Sequence, residues 1–170
     1  MSYQQQLKEK EEKSIYIIRE AFSHFKNAVL MWSVGKDSAV LIWLAKKAFL
    51  GDIPFKILNI DTTFEFKEIV EFRDSLAKEW NLDLHIAKPK NPSKEMLKDP
   101  IAFFHHHKTL PFLNSLKELN TEIVYLGIRG DEHGIRAKER YFSIRNEKGE
   151  LDFNNQTLSV SGVAIGDYYV

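Results

Sequence analysis

The 170-residue chain contains no cysteine. That excludes disulfides, a thiolate zinc site, a cysteine-ligated iron–sulfur cluster and a catalytic thiol supplied by this chain. Neither sign of charge is in excess: 24 Lys and Arg stand against 24 Asp and Glu, a formal net charge of zero. With no global field to draw a polyanion, nucleic acid is not an expected partner, although local patches stay open. No uninterrupted apolar stretch is long enough to span a bilayer. The first residues are polar and charged, unlike a secretory leader, so a soluble cytoplasmic protein with no membrane partner is the expectation. There is no internal repeat, and low complexity is confined to the Gln/Lys/Glu-rich start. A chain of this length is expected to form one domain with a real core.

What is present is organised around Met31-Trp32-Ser33-Val34-Gly35-Lys36-Asp37-Ser38. The apolar run 28–32 before the loop reads as a buried strand, and the run 39–50 after it is long enough for a helix. Ser38 or Asp37 is placed to cap a helix over 38–50, whose first-turn amides lack internal partners and carry the positive end of the dipole. Gly35 allows a ligand close to the backbone, and Lys36 adds a full positive charge. A strand, a small lysine-bearing loop and a helix start make a phosphate site. It is not a Walker A loop, because Leu30 stands at the first glycine position and Asp37 at the Ser/Thr position. The dinucleotide fingerprint also fails, since only Gly35 is present.

The rest of the chain alternates helical and strand patterns. Residues 4–26 show an apolar spacing through Leu7, Ser14, Ile15, Ile18, Phe22 and Phe25, and predict an amphipathic helix. Gly51, Asp52 and Pro54 end the helix that follows the loop, and 55–60 predicts a second strand. Asp61 closes that strand, where an open parallel sheet binds its ligands. Its carboxylate can accept from a ribose hydroxyl or an adenine amino group or help hold Mg²⁺, or Asp61, Thr62 and Thr63 can simply cap the next helix. Residues 64–80 predict a helix with Ile69, Phe72, Leu76 and Trp80 on one face, followed by a strand over 82–87 and an extended connection over 88–92.

His105, His106 and His107 are consecutive and cannot all point to one side of a helix, so they make a poor zinc site. Two of them can bind an anion beside Lys108, or they are surface histidines at a helix start. A short helix over 110–119 tolerates Pro111 in its first turn. A fourth strand over 122–127 places Arg129 just beyond its end, with Arg136 on a turn seven residues later. The planar guanidinium suits two-point binding of phosphate or sulfate. The alternative is an ordinary exposed mixture of weak surface pairs. Residues 141–146 and 150–153 alternate as in a β-hairpin, and 157–170 show no period.

The loop Ser33-Val34-Gly35-Lys36-Asp37-Ser38 resembles the PP-loop, Ser-Gly-Gly-x-Asp-Ser, of the ATP pyrophosphatase superfamily. Val34 at the first glycine position is similar to the small subunits of sulfate adenylyltransferase within the PAPS reductase-like branch. The resemblance continues through Ser14 to Glu20, Asn59-Ile60-Asp61-Thr62-Thr63, Glu71-Phe72-Arg73-Asp74 and Arg136-Ala137-Lys138-Glu139-Arg140. Gly130 stands where that family often has a second arginine. The family's chains continue well past Arg145, so this one resembles a shortened relative or the product of a truncated gene.

The resemblance implies an α/β fold, a doubly wound and mostly parallel sheet in three layers, in one nucleotide-binding domain. It implies ATP, carried with Mg²⁺, at Ser33, Val34, Gly35, Lys36, Asp37 and Ser38, with Asp61 and Thr62 beside it. It also implies adenylyl sulfate and pyrophosphate as products of ATP and sulfate. Lys36 would act on the leaving pyrophosphate, with Arg129 and Arg136 screening the two anions. A GTPase large subunit is the implied partner, and a homo-oligomer is the other assembly to consider. Three rivals are a PAPS or APS reductase relative, an enzyme of nucleic-acid modification on the same fold, and a shortened nucleotide-binding module without activity.

Overall fold

The structure, a computed structural model, describes residues 2–128, 141–145 and 168–169. Along strand β1 (Ala28–Met31), successive side chains turn to opposite faces: Ala28 and Leu30 join one core cluster and Val29 the other. Strands β2 (Lys56–Ile60) and β4 (Ile123–Tyr125) flank β1, and β3 (Leu84–Ala87) forms an edge beside β2. All three pairings are parallel, in the order β3-β2-β1-β4. The chain thus steps outward from β1 to β3, then returns across the sheet to β4.

The helices obey that reversal. Helices α1 (Tyr3–His24), α2 (Lys36–Ala48) and α3 (Lys67–Glu79) pack through Ile18, Ala21, Ile42, Ala45 and Ala77 on the face that carries Leu30, Ile57 and Tyr125. The return crossover puts α5 (Leu110–Glu118) on the opposite face, where Leu116, with Phe112 and Leu119, covers Val29, Leu58 and Val124. Right-handed crossovers demand this: a connection that reverses direction must cross on the other face. This is the doubly wound, three-layer α/β architecture expected, and its reversal point lies between β1 and β4.

Helix boundaries depart from the sequence reading in instructive ways. α1 starts at Tyr3, closed by a capping box between Ser2 and Gln5, and its first turns stand clear of the core, so Leu7 is exposed. α2 begins at Lys36 with Gly35 as N-cap, not at Ser38, and it leaves Val40 and Trp43 exposed. α3 is rotated from its expected face: Phe72 is 52% exposed, while Arg73 and Ala77 point inward.

Three helices finish alike. The residues after the C-caps, Leu50, Asn81 and Asn120, have positive φ. The next amides bond to carbonyls five residues back: Gly51 to Lys46 O, Leu82 to Ala77 O and Thr121 to Leu116 O. These are Schellman ends, and they consume Leu82, so β3 starts later than its apolar run. Leu50 is the costly one, a leucine at φ 55° that is 92% exposed. Leu50→Gly is expected to raise stability by about 0.5–1 kcal/mol, read as a higher urea midpoint with unchanged slope. A lower midpoint would mean that the leucine side chain packs after all.

Between β3 and β4 the chain runs through a 3-10 turn (Lys94–Lys98), α4 (Pro100–Phe104), a π turn (His105–Thr109) and α5. Pro111 is therefore interior to one helical run rather than at a free start. Its missing N–H and its ring disfavour α register to His107, and the widened turn is visible as the Leu110 amide bonding to His105 O. Strand β5 (Ser143–Ile144) pairs antiparallel with β6 (Tyr168–Tyr169). Part of the tail that showed no period thus supplies a strand, while 150–153, expected to form the hairpin, lie outside the described residues. Among the described residues no helix is long and apolar enough to cross a membrane.

Candidate nucleotide site at the carboxyl edge of the sheet

The loop after β1 is tied down from within. The Ser38 hydroxyl donates to Gly35 O (3.1 Å), accepts from the Ser33 amide (3.3 Å) and touches the Ser33 hydroxyl at 3.1 Å. Ser38 therefore acts as an internal latch rather than as the helix cap that the sequence pattern allowed. No side chain caps Gly35, and the first α2 bond is Ala39 N to Gly35 O. The amides of Lys36, Asp37 and Ser38 precede that bond, at the positive end of the dipole. Lys36 is exposed, and its ammonium has no ion-pair partner among the described residues.

Two β-branched residues hold left-handed backbone at this edge, Val34 at φ 62° and Thr63 at φ 67°. Each position costs roughly 1–3 kcal/mol, and such costs concentrate at ligand sites. Val34 is the position where the PP-loop pattern has glycine; Gly35 itself has an ordinary extended φ of −84°. Gly127, just past β4, closes the other side of the reversal point. A Cβ there would lie 3.2 Å from the backbone of Asp37 and from the Ser38 amide, so β4's end abuts the loop directly.

Behind the loop runs a buried polar chain. Asn59 Nδ2 donates to Trp32 O (2.8 Å), and its Oδ1 accepts from Arg73 Nη1 (3.1 Å). Arg73, 4% exposed, also reaches Asp61 Oδ2 (3.3 Å) and donates through Nε to Asp74 (2.8 Å). Asp61 is 6% exposed; its Oδ1 accepts from the Thr63 amide (2.8 Å), and Lys88 Nζ lies 3.4 Å from Oδ2. Burial pushes the Asp61 carboxyl up, but the Thr63 amide, Arg73 and Lys88 together pull it below the ordinary carboxylate range. Burial likewise lowers Arg73, and Asp74 and Asp61 more than reverse it. Thr62 completes the turn by bonding Glu65 (2.9 Å) and accepting from the Phe64 amide (3.3 Å). Helix α3 itself starts at Lys67 with no side-chain cap. Asp61, Thr62 and Thr63 therefore shape the β2 turn and do not cap the helix.

A cavity of about 140 Å³ opens beside the loop, lined by Ser33, Val34, Glu65, Arg73 and Lys108 among others. A larger one, about 510 Å³, lies at the sheet edge between β3 and α5, lined by His85, Lys88 and His106 among others. It contains no loop residue, so the smaller cavity is the one the chemistry favours. Among the described residues no cluster of three or more His, Asp or Glu could hold a metal.

Residues 27–160 match the phosphoadenosine phosphosulfate reductase domain. The chain belongs to that family. It is 43% identical over 157 residues to sulfate adenylyltransferase subunit 2 of Akkermansia muciniphila, which covers 89% of this chain and 52% of the relative. It is also 43% identical over 166 residues to the same-named protein of Shewanella loihica, covering 92% of this chain and 54% of that one. The chain thus spans about half the length of the curated relatives it matches. Among solved structures, the phosphate complex of PAPS reductase from Candida auris superposes with a TM-score of 0.66 at 20% identity, covering 80% of this chain and 68% of that one. The ATP complex of FMN adenylyltransferase from Candida glabrata gives 0.61 at 15% identity, covering 84% and 48%. At those identities the likeness is one of fold.

Within this PAPS reductase-domain chain, the structure gathers Ser33 to Ser38 with Asp61 and Thr62 at one edge, as the sequence placed them. Arg129 and Arg136 lie outside the described residues. The histidines divide: His105 is exposed, but His107 is 0% exposed, so it is not the surface residue that one of the two readings made it. His107 stacks on Phe103 (centroids 4.3 Å), meets the edge of Phe64 (5.5 Å) and accepts from the Ser93 amide (3.3 Å). It anchors the π turn against the β2 turn. The sequence reading named Arg73 and Asn59 only as part of the resemblance and gave neither a role in the site. Their signals were an amide inside an apolar strand run and an arginine spaced with Leu76, Ala77 and Trp80 at helical period.

Proposed function

We propose that this chain binds ATP, carried with Mg²⁺, at Ser33–Ser38 and transfers its adenylyl group to sulfate, giving adenylyl sulfate and pyrophosphate. The observation that carries the reading is the uncapped α2 start beside an unpaired Lys36 at the reversal point of the sheet. The names of the relatives that match nine-tenths of this chain support sulfate as the acceptor. A sulfate oxygen attacks the α-phosphorus as the bond to the bridging β-phosphate oxygen breaks, and pyrophosphate leaves with that bond's electron pair. Sulfate is already ionised at neutral pH, so the step needs no general base. Catalysis is then positioning and charge neutralisation. The loop amides and Lys36 hold the leaving pyrophosphate, and Arg129 and Arg136 offset repulsion between the two anions. Asp61 and Thr62 fix the β2 turn against the nucleotide. The "subunit 2" in the relatives' name supports a large-subunit partner, a GTPase in this reading.

A thiolate-dependent reduction, which the domain's name raises, needs a cysteine, and these 170 residues contain none. The test is pyrophosphate release from labelled ATP, with a pyrophosphatase present to draw the uphill step forward. Release that requires sulfate is expected. Release independent of sulfate would move the acceptor to another class, and ATP binding without release would make this chain a binding module.

A further inference from the structure

Strand β3 is an edge of the sheet, paired with β2 alone among the described residues. The carbonyls of Asp83 and Ala87 accept from the Ile57 and Asp61 amides, so both face β2. Backbone groups alternate along a strand, which turns those of Leu84, Ile86 and Lys88 outward. The cavity of about 510 Å³ lies along this edge. The run from His85 to Asn91 lines it without a gap. From α5 it takes Leu110, Asn114 and Glu118, whose i, i+4 spacing puts them on one stripe of the helix. His85 Nε2 lies 3.3 Å from the Ser115 hydroxyl and ties the strand to that helix. A strand with open backbone groups beside a helix makes the kind of groove into which an extended peptide adds as one more strand.

We propose that this groove takes an extended, acidic segment of a partner protein, added to the sheet beside β3. Charge decides the occupant. Lys88 and Lys90 line the groove just past the carboxyl end of β3. The Lys88 side chain is 57% exposed, and Lys90 is exposed with no ion pair among the described residues. Glu118, the acid of the lining, sits toward the other end, because α5 runs back to the amino edge, where the Glu122 amide bonds to Asn27 O. The segment therefore carries its acids at the end beside the two lysines. A second copy of this chain is a poorer occupant. A two-fold pairing of β3 with itself brings the same lysines from both sides, and lysine and proline on an edge are what keep identical edges apart. Pro89 lacks an N–H, so the open edge ends at Lys88. No residue of Ser33–Ser38 lines this cavity, so the assignment is independent of the nucleotide reading.

The test selects from a phage-displayed library of random short peptides on the immobilised full chain. Enriched peptides are then made with a fluorescein label and titrated by anisotropy. The enriched sequences are expected to carry Asp or Glu toward one end. Methylating one alternate set of peptide amides should abolish binding, because those amides donate to the edge, and methylating the other set should leave it. Lys90→Glu should weaken the same peptide about tenfold. Asn114→Trp, at an exposed position of α5, should block the groove with the thermal midpoint unmoved. A library that yields no acidic peptides overturns the proposal. So does binding that both methylated forms retain, which marks a charge contact without an added strand. Affinity unchanged in Lys90→Glu or in Asn114→Trp overturns it too, because the peptide then lies elsewhere. A dimer of this chain that Asn114→Trp dissolves gives the groove to a second copy and overturns it as well.

Discussion

Arg73→Met is expected to lower stability by about 3–5 kcal/mol at neutral pH, the range for stranding one member of a buried ion pair. The substitution keeps most of the apolar stem but removes every donor of the network. Asp61 would stay buried with only the Thr63 amide and the half-exposed Lys88, and Asn59 Oδ1 would lose its described partner. The sign of the pH dependence follows. The wild-type Asp61 carboxyl lies below its unfolded value, so its contribution is complete above that value and is lost as pH falls through the folded one. Without Arg73 the folded carboxyl titrates higher. The stability gap between variant and wild type should therefore be widest at neutral pH and shrink as pH falls through the carboxylate range. Urea unfolding at neutral and acidic pH checks both parts. A loss under about 1 kcal/mol, or a gap that does not change with pH, would mean that Arg73 is not what holds Asp61. The double variant Asp61→Asn/Arg73→Met should lose less than the sum of the single losses, because neither charge is then left alone.

Arg73 also shows where sequence reading stops. The succession of strands and helices and the loop were legible because apolar runs of strand and helix length alternate, with small polar residues at their junctions; the doubly wound, three-layer arrangement came from the resemblance. The Ser33–Ser38 loop could be read because a phosphate site is local: its parts are consecutive. The network behind it is not local. Trp32, Asn59, Asp61, Arg73 and Lys88 come from three strand ends and a helix, and their partnership depends on strand register. Asp61 was picked out by its place at a strand end, but its carboxylate is already partnered, which position alone does not reveal. His107 failed for the opposite reason. Three histidines beside a lysine look like surface, and only the π turn shows that one of them is buried. The face of α3 was misjudged because Phe72 outweighs Arg73 in any apolar count. Burial followed the hydrogen-bond partners waiting on β2 instead.

Lys36→Ala is expected to weaken ATP binding about ten- to a hundredfold, the cost of losing a charge-assisted contact worth about 1.5–3 kcal/mol. The loop's amides and latch survive the change, because the amides are backbone groups and the latch is made by Ser38, Ser33 and Gly35. Folding stability should move the other way. Lys36 is the first residue of α2, and a cation there opposes the dipole, so its removal should leave stability unchanged or raise it by about 0.3–1 kcal/mol. That opposition separates a residue kept for a ligand from one kept for the fold. Lys36→Arg should recover part of the affinity, since the charge returns with a different shape. Titration of ATP, with urea unfolding of the same samples, reads both quantities. An unchanged affinity in Lys36→Ala would place the nucleotide somewhere other than this loop, because Lys36 is the cation carried by the loop's own helix start.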